Sequence, residues 1–282
     1  QSHTGSEVTP DVTIKCGDTT LQKDTDYTIS YASNIEIGTA KVTITGMGFF
    51  TSEITVPFEI GVAIDATNFP DETFRTYVKE KFDTTPDDIL TVSELEQVTM
   101  IDVSLKEISD LTGVEYFTAL KELYCGGNNL TELDVRQNTA LQQLHCFDNN
   151  LTELDVHQNP ALQMLFCYNN NLTALDLSQN PALTNLACFN NTYSIALTGG
   201  TFDLSTLPGN FDVSKASNWT NATVDGNTLT VTDLKTDVTY TYDLGNGKTA
   251  TFTLHPASCT LTESMVEAIP LQGYSGSAVT PD

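Results

Sequence analysis

The side chains here that could do chemistry are six cysteines, four histidines and 37 carboxylates set against 12 lysines and arginines. Four of the cysteines, Cys125, Cys146, Cys167 and Cys188, fall at a constant step of 21 residues. Thiols so placed could hold a metal, close disulfides or fill a core. Zinc sites draw on C-x-x-C pairs, which do not occur here. Parallel strands in register lie about 4.8 Å apart, which separates like Cβ atoms by more than the roughly 3.8 Å a relaxed disulfide prefers. The column therefore reads as small buried hydrophobes, with the thiols free.

The histidines, His3, His145, His157 and His255, stand in unrelated settings, with no H-E-x-x-H, no G-x-S-x-G and no phosphate loop. His145 near Asp148 is the one site-like pair, and a lone histidine on a strand is more often a polar contact than a base. No catalytic residue and no cofactor is expected. Asp83, Asp87 and Glu94 take positions one, five and twelve of an EF-hand-like loop, but Thr85 stands where a third acid belongs and Asp88 where the turn wants glycine. They are a weak calcium candidate. A net charge of -25 repels phosphate backbones and anionic lipids, so nucleic acid is excluded as a partner. No apolar run reaches the roughly 18 residues that would span a bilayer, so direct membrane insertion is not expected.

The cysteines belong to a longer pattern, L-x-x-L-x-C-x-x-N, repeated from Leu120, Leu141, Leu162 and Leu183. A period of 20 to 29 residues with this leucine and asparagine spacing predicts a leucine-rich-repeat solenoid, one short parallel strand per turn. One turn cannot bury its own apolar face, so Leu120, Leu123, Leu130 and their equivalents point inward and share a core. Asn128, Asn149, Asn170 and Asn191 follow the strands and are placed to satisfy the backbone of a bend. An irregular first turn, with Val98, Ile101 and Val103 at a step of 22 before Leu120, Leu123 and Cys125, brings the array to about five turns. The segment Leu130-Thr-Glu-Leu133-Asp-Val135 also fits a strand, which would put Asp134, Arg136, Asp155, His157, Asp176 and Ser178 on the exposed sheet.

The full unit, L-x-x-L-x-C-x-x-N-x-L-T-x-L-D-V-x-Q-N-P-A, resembles the internalin J-like, cysteine-ladder leucine-rich repeats of Gram-positive surface proteins. The resemblance favours the cysteine-bearing strand as the one that lines the concave face. It implies an extracellular protein, secreted or on the bacterial cell surface, with a host or neighbouring-cell protein or glycan as partner. In that geometry the residues flanking the inward Leu and Cys face out. Two aromatic columns result, Tyr124, His145 and Phe166 in one and Phe147, Tyr168 and Phe189 in the other, with Met164 beside them. These seven are the candidate ligand-binding residues, since exposed apolar patches mark binding sites and aromatic side chains anchor them. The competing reading is that the rings stack down the sheet only to stabilise it.

The expected fold class is a multidomain, mostly β protein in which the solenoid is flanked by a helical cap and small β-sandwich domains. Period-2 alternation in 1–60 predicts strands at Val12–Ile14, Tyr27–Tyr31, Ala40–Ile44 and Ile54–Phe58. The wording Asp26-Tyr27-Thr-Ile-Ser-Tyr31 is similar to immunoglobulin-like repeats of Firmicutes surface proteins, which begin with a strand missing here. Residues 61–99 carry two helices. The first has Pro70 in its first turn, and the second opens with a capping box, Thr91-Val-Ser-Glu94. Asn68-Phe69-Pro70-Asp71-Glu72 looks like the cap preceding such repeats in gut Firmicutes. The repeats occupy 100–199, a second β-domain containing Trp219 as a packing residue occupies 200–257, and 258–282 reads as a linker. Tyr274–Asp282 matches His3–Asp11 at an offset of 271, so the chain reads as a piece of a tandem array. Strand exchange through 265–282 is a further expectation, and a spacer role is the alternative function.

Overall fold

The structure is a computed structural model describing residues 1–260, and the strand expected in 265–282, with its exchange, lies outside the described residues. Its centre is a parallel sheet of five short strands, Met100–Asp102, Glu122–Tyr124, Gln143–His145, Met164–Phe166 and Asn185–Ala187. The register sets Leu123 beside Leu144, Leu144 beside Leu165 and Leu165 beside Leu186, one per repeat. Ile101 pairs with Leu123, which is the 22-residue step of the irregular first turn.

Leu120, Leu123, Leu130, Cys125, Cys146 and Cys167 are all fully buried, because each turn's apolar side is completed only by its neighbours. All six cysteines are free. The asparagines after the strands tie turns together: Asn149 Nδ2 donates to the carbonyls of Cys125 (3.0 Å), Cys146 (3.1 Å) and Phe147 (3.1 Å), while its Oδ1 accepts from Leu130 N at 3.0 Å. A second buried ladder, at Asn138, Asn159 and Asn180, does the same on the return side. Asn159 Nδ2, for example, donates to Val135 O and Asn138 O, both at 2.9 Å.

The segment around Asp134 is not a strand. Asp134, Asp155 and Asp176 each accept the backbone N–H two residues on, from Arg136, His157 and Ser178, and so close tight turns away from the sheet. The ambiguity between the two candidate strands is settled by these turns.

Before the repeats, helix α1 (Glu72–Phe82) and helix α2 (Val92–Gln97) pack Phe74, Val78 and Leu95 into the same core as Ile101 and Phe117. Asp71, not a residue of the first turn, caps α1: it accepts from Thr73 N and Phe74 N, and its other oxygen takes Ser109 N from the first repeat at 3.0 Å. Pro70 therefore precedes the helix instead of opening it. The capping box of α2 forms as its spacing predicts.

Residues 1–60 depart from the sandwich expected. Their main sheet is a three-stranded antiparallel one, Tyr27–Ala32, Gly38–Gly46 and Glu53–Ile60, with only a two-residue hairpin beside it. The segment 8–14 crosses this sheet without a ladder: the Tyr31 hydroxyl donates to Pro10 O at 2.6 Å and Asn34 Nδ2 to Val8 O at 3.2 Å. In place of strand pairing at 12–14, the Tyr27 hydroxyl donates to Val12 O at 3.4 Å, beside the Tyr31 bond to Pro10.

After the repeats, Asn191–Thr198 already belongs to the next sheet, paired in parallel with Lys248–Thr260. The seam thus lies near Asn191, earlier than 199, and the following domain runs on to Thr260, past the boundary expected at 257. This seven-stranded sheet closes the solenoid end: the Tyr240 hydroxyl donates to Thr173 O at 2.6 Å, and Leu177 N to Leu244 O at 2.7 Å. Trp219 stacks on Tyr240 with ring centroids 4.5 Å apart.

Candidate functional site

The parallel strands alternate cleanly, so every residue between two inward ones projects from the sheet's outer face. Tyr124, His145 and Phe166 fall in one column, held by the pairing of Tyr124 with His145 and of His145 with Phe166. His145 lies 4.7 Å from the Tyr124 ring and 4.5 Å from Phe166, nearly parallel to the latter at 18°. In the second column Phe147 and Tyr168 stack at 4.9 Å and Tyr168 and Phe189 at 4.7 Å, each pair inclined by only 6°. All of these side chains are half-buried except Phe189, which is 53% exposed. Met164 sits beside His145, its sulfur 3.2 Å from Nε2. The structure therefore brings the seven sequence-predicted residues together on one surface.

The titratable groups on this surface are tuned by burial. The Tyr124 hydroxyl is pushed up to about 12, first by desolvation and then by its 2.7 Å hydrogen bond to Glu122. Burial lowers the His145 imidazole, opposed by the nearby Glu122 carboxylate. His145 and Asp148 do not form the pair their spacing allowed: His145 turns to Met164, while Asp148 accepts from Asn169 Nδ2. Beneath the face, burial drives the Cys125 thiol up to about 12 and Cys146 upward too; Cys167 is raised by its hydrogen bond to Cys188 and by burial. Thiols held protonated are poor nucleophiles and poor ligands.

The EF-hand-like loop uses its oxygens internally. Glu94 Oε1 accepts from Thr84 N (2.7 Å), Thr84 Oγ1 (2.6 Å) and Thr85 N (3.1 Å), and Oε2 from Thr91 N and Thr91 Oγ1, both at 2.8 Å. Asp83 accepts from Asp88 N at 3.2 Å, and Asp87 from Ile89 N at 3.1 Å. Asp88 does adopt the left-handed turn, with φ 62°, yet its carboxylate pairs with Lys79. Among the described residues no group of three His, Cys, Asp or Glu side chains converges, and the oxygens of Asp83, Asp87 and Glu94 are taken up by the hydrogen bonds just given.

Sequence reasoning missed two members of the surface, Leu105 and Met100, which are 81% and 52% exposed. Leu105 occupies the place of Gly127 one turn earlier and has φ 57°, in line with Gly127, Asp148, Asn169 and Asn190 at 68°, 51°, 54° and 53°. The 22-residue step already applied to Val98, Ile101 and Val103 would have found it.

Comparison with curated sequences places a segment of this chain against internalin J of Listeria monocytogenes serotype 4b (strain F2365), 37% identical over 70 residues. The chain carries internalin J-like repeats. The match takes in 25% of this chain and 8% of that protein, so less than a tenth of the relative's length is spanned. Among solved structures, a functional domain of InlJ from Listeria monocytogenes that includes a cysteine ladder aligns at 42% identity and a TM-score of 0.43, over 46% of this chain and 29% of that one. An internalin, InlF, from the same species aligns at 20% identity and a TM-score of 0.38, over 49% and 52%. No protein-family model matches. The described residues are mostly β with few helices, and among them no helix is long and apolar enough to cross a membrane.

Proposed function

We propose that this chain is a non-enzymatic adhesion or ligand-recognition module of an extracellular bacterial protein, secreted or displayed at the cell surface. Its ligand, a host or neighbouring-cell protein or glycan, lies across the outer sheet face on Tyr124, His145, Phe147, Met164, Phe166, Tyr168 and Phe189. The observation that carries this reading is that two aromatic columns stand on that face with no other described part of the chain over them, ending at the half-exposed Phe189. Contiguous apolar surface of this kind costs solubility and is kept where a partner covers it. Binding is favoured over catalysis because the one imidazole on the face, His145, touches a thioether and two rings, with no hydroxyl, thiol or carboxylate nucleophile bonded to it.

The alternative, a structural spacer in a tandem surface array, draws on the likeness of Tyr274–Asp282 to His3–Asp11. Replacing Phe147, Phe166 and Tyr168 together with serine separates the two. A recognition module loses capture of its ligand on protein and glycan arrays while its circular dichroism spectrum and melting stay close to those of the parent. Capture retained by the triple variant refutes the recognition surface, and a parent chain that captures nothing leaves the spacer.

A further inference from the structure

We propose that the free edge of the strand Glu53–Ile60 is a docking site for residues 265–282 of a second copy of this chain, which add a parallel strand there and replace the recipient's residues 1–11. The donor segment lies outside the described residues, and its fit rests on its sequence.

The acceptor is an unfinished sheet. In the order Tyr27–Ala32, Gly38–Gly46, Glu53–Ile60, the last strand pairs along its length on one side only. Ile29, Ile44 and Ile54 form one row across this sheet and Tyr31, Val42 and Val56 the next, all on a single face. Residues 8–14 cover the first two strands of that face, and Val42 is buried. Their cover stops short of the third, where Ile54 is 59% and Val56 43% exposed. An unpaired edge beside bare apolar side chains is a template for another strand.

The chain already begins such a strand, which fixes its direction and register. Ser2 forms a parallel bridge with Gly61: His3 N donates to Gly61 O at 2.7 Å, Gly61 N to Gln1 O at 2.8 Å, and the Gln1 amino group to Glu59 O at 3.1 Å. Gly46 N donates to Ser52 O at 2.9 Å, and alternation from that bond turns the main-chain groups of Ile54, Val56 and Phe58 inward. Those of Glu53, Thr55, Pro57 and Glu59 point outward, along the line that Gln1 has started.

The donor's sequence repeats what is already seated. Gly5-Ser6-Glu7-Val8-Thr9-Pro10-Asp11 recurs as Gly276-Ser277-Ala278-Val279-Thr280-Pro281-Asp282, identical at six of seven positions. The resident segment is held by Val8, which packs with Ala40 and Ile60, and by carbonyls, Pro10 O taking the Tyr31 hydroxyl and Val8 O the Asn34 amide. Residues 272–282 bring the same valine, proline and carbonyls, so they exchange with 1–11 like for like. The gain lies in the stretch before them. Continued at the offset of 271, the Ser2–Gly61 register sets Val266 beside Ile54 and Ala268 beside Val56, which lengthens both apolar rows. The two bonds centred on Pro57 would use its own N–H and that of Pro270; both residues lack one, so the gaps coincide on one rung and no donor is left unpaired.

The donor must be another copy. Thr260 pairs with Thr198 beyond the last turn, whereas Glu53 precedes the first. The five stacked strands between them span about 19 Å, with the two helices beyond, and the chain from Thr260 to Met265 reaches at most about 18 Å. Docking of one chain's tail on the next chain's head is a heterologous contact, which builds open chains.

The test is sedimentation of the intact chain from roughly 1 to 500 μM, with hydrogen exchange at the edge amides read alongside. The expected result is a mass that rises with concentration through dimers to longer chains, more steeply in added salt, which screens a net charge of -25. Exchange at the Glu53 and Thr55 amides should slow about tenfold at the upper end. Two variants should act in opposite senses. Val279→Asp spoils the donor and should weaken association about tenfold or more, whereas Val8→Ala loosens the resident segment and should strengthen it about threefold. Unspecific stickiness cannot produce both. The proposal is overturned by a chain that stays monomeric over the whole range, by Val279→Asp associating like the parent, or by Val8→Ala failing to strengthen association. Protection of Glu53 and Thr55 that does not change on dilution would mean that the tail folds back on its own chain, and it overturns the proposal as well.

Discussion

Replacing Glu94 with glutamine offers the most quantitative check on how the helical segment is held. Glu94 is 7% exposed and its two oxygens collect N–H and O–H donors from Thr84, Thr85 and Thr91. Burial by itself would raise this carboxyl, but the hydrogen bonds from Thr84 and Thr91 outweigh it and bring it down to about 2 from an ordinary 4.5. At 1.36 kcal/mol per unit, the ionised form is favoured in the folded state by roughly 3 kcal/mol. A folded-state pKa that is depressed contributes stability that is complete above the unfolded value and disappears as pH falls through the folded one. Here the window is about pH 5 to 2. Glutamine keeps one acceptor oxygen and turns an NH2 group toward donors, so Glu94→Gln should be less stable than the parent by about 3 kcal/mol at pH 7. The two proteins should converge as pH approaches 2. Trp219 lies in the far β-domain, so its fluorescence would report the wrong unit. Hydrogen exchange at the Thr84 and Thr91 amides, followed from pH 7 downward with correction for intrinsic rates, reads the segment directly. Equal protection in both proteins at pH 7, or a difference that stays constant down to pH 2, would refute the reasoning.

Two further outcomes follow from the interior of the coil. Asn149→Asp removes the three hydrogen bonds that Asn149 Nδ2 donates to the carbonyls of Cys125, Cys146 and Phe147 and turns a carboxyl toward them, so urea denaturation should show a loss of about 3 kcal/mol or more at pH 7. Because burial raises that new carboxyl's pKa, the loss should shrink as pH is lowered toward 4; a pH-independent loss contradicts this placement. In thiol labelling of the native protein, exposed Cys16 should react at once, whereas Cys125, Cys146 and Cys167, fully buried and with raised pKa values, should react only at the rate of unfolding. Native-state labelling of the ladder on the Cys16 timescale would place these thiols outside the coil.

The repeat array was legible in sequence because its signal is periodic: a 21-residue step imposes the same environment four times, and random drift does not reproduce Leu, Cys and Asn at fixed offsets. The seven ring-face residues were legible for the same reason, as neighbours of inward positions. Less periodic segments were read less well. Alternation in 1–60 predicted a sandwich, but period-2 runs say only that a face is buried, not that a second sheet buries it; residues 8–14 and two tyrosine hydroxyls do the covering. The Asn138, Asn159 and Asn180 ladder escaped notice beside the Asn128 column, although it has the same period and is buried as deeply.

By itself the sequence determined the coil: which residues turn inward, that the cysteines stack as a core ladder, and which side chains emerge between them. Tertiary structure alone decided how those emerging rings meet, since stacking to within 6° depends on strand twist and rung spacing, not on residue type. It decided, too, that Glu94 gathers the N–H and O–H groups of Thr84 and Thr91, and that Leu105 is held in the left-handed conformation that Gly127 takes one turn later. Each of these is settled by the distance between groups remote in the chain, and a distance of that kind is set only when the turns have stacked.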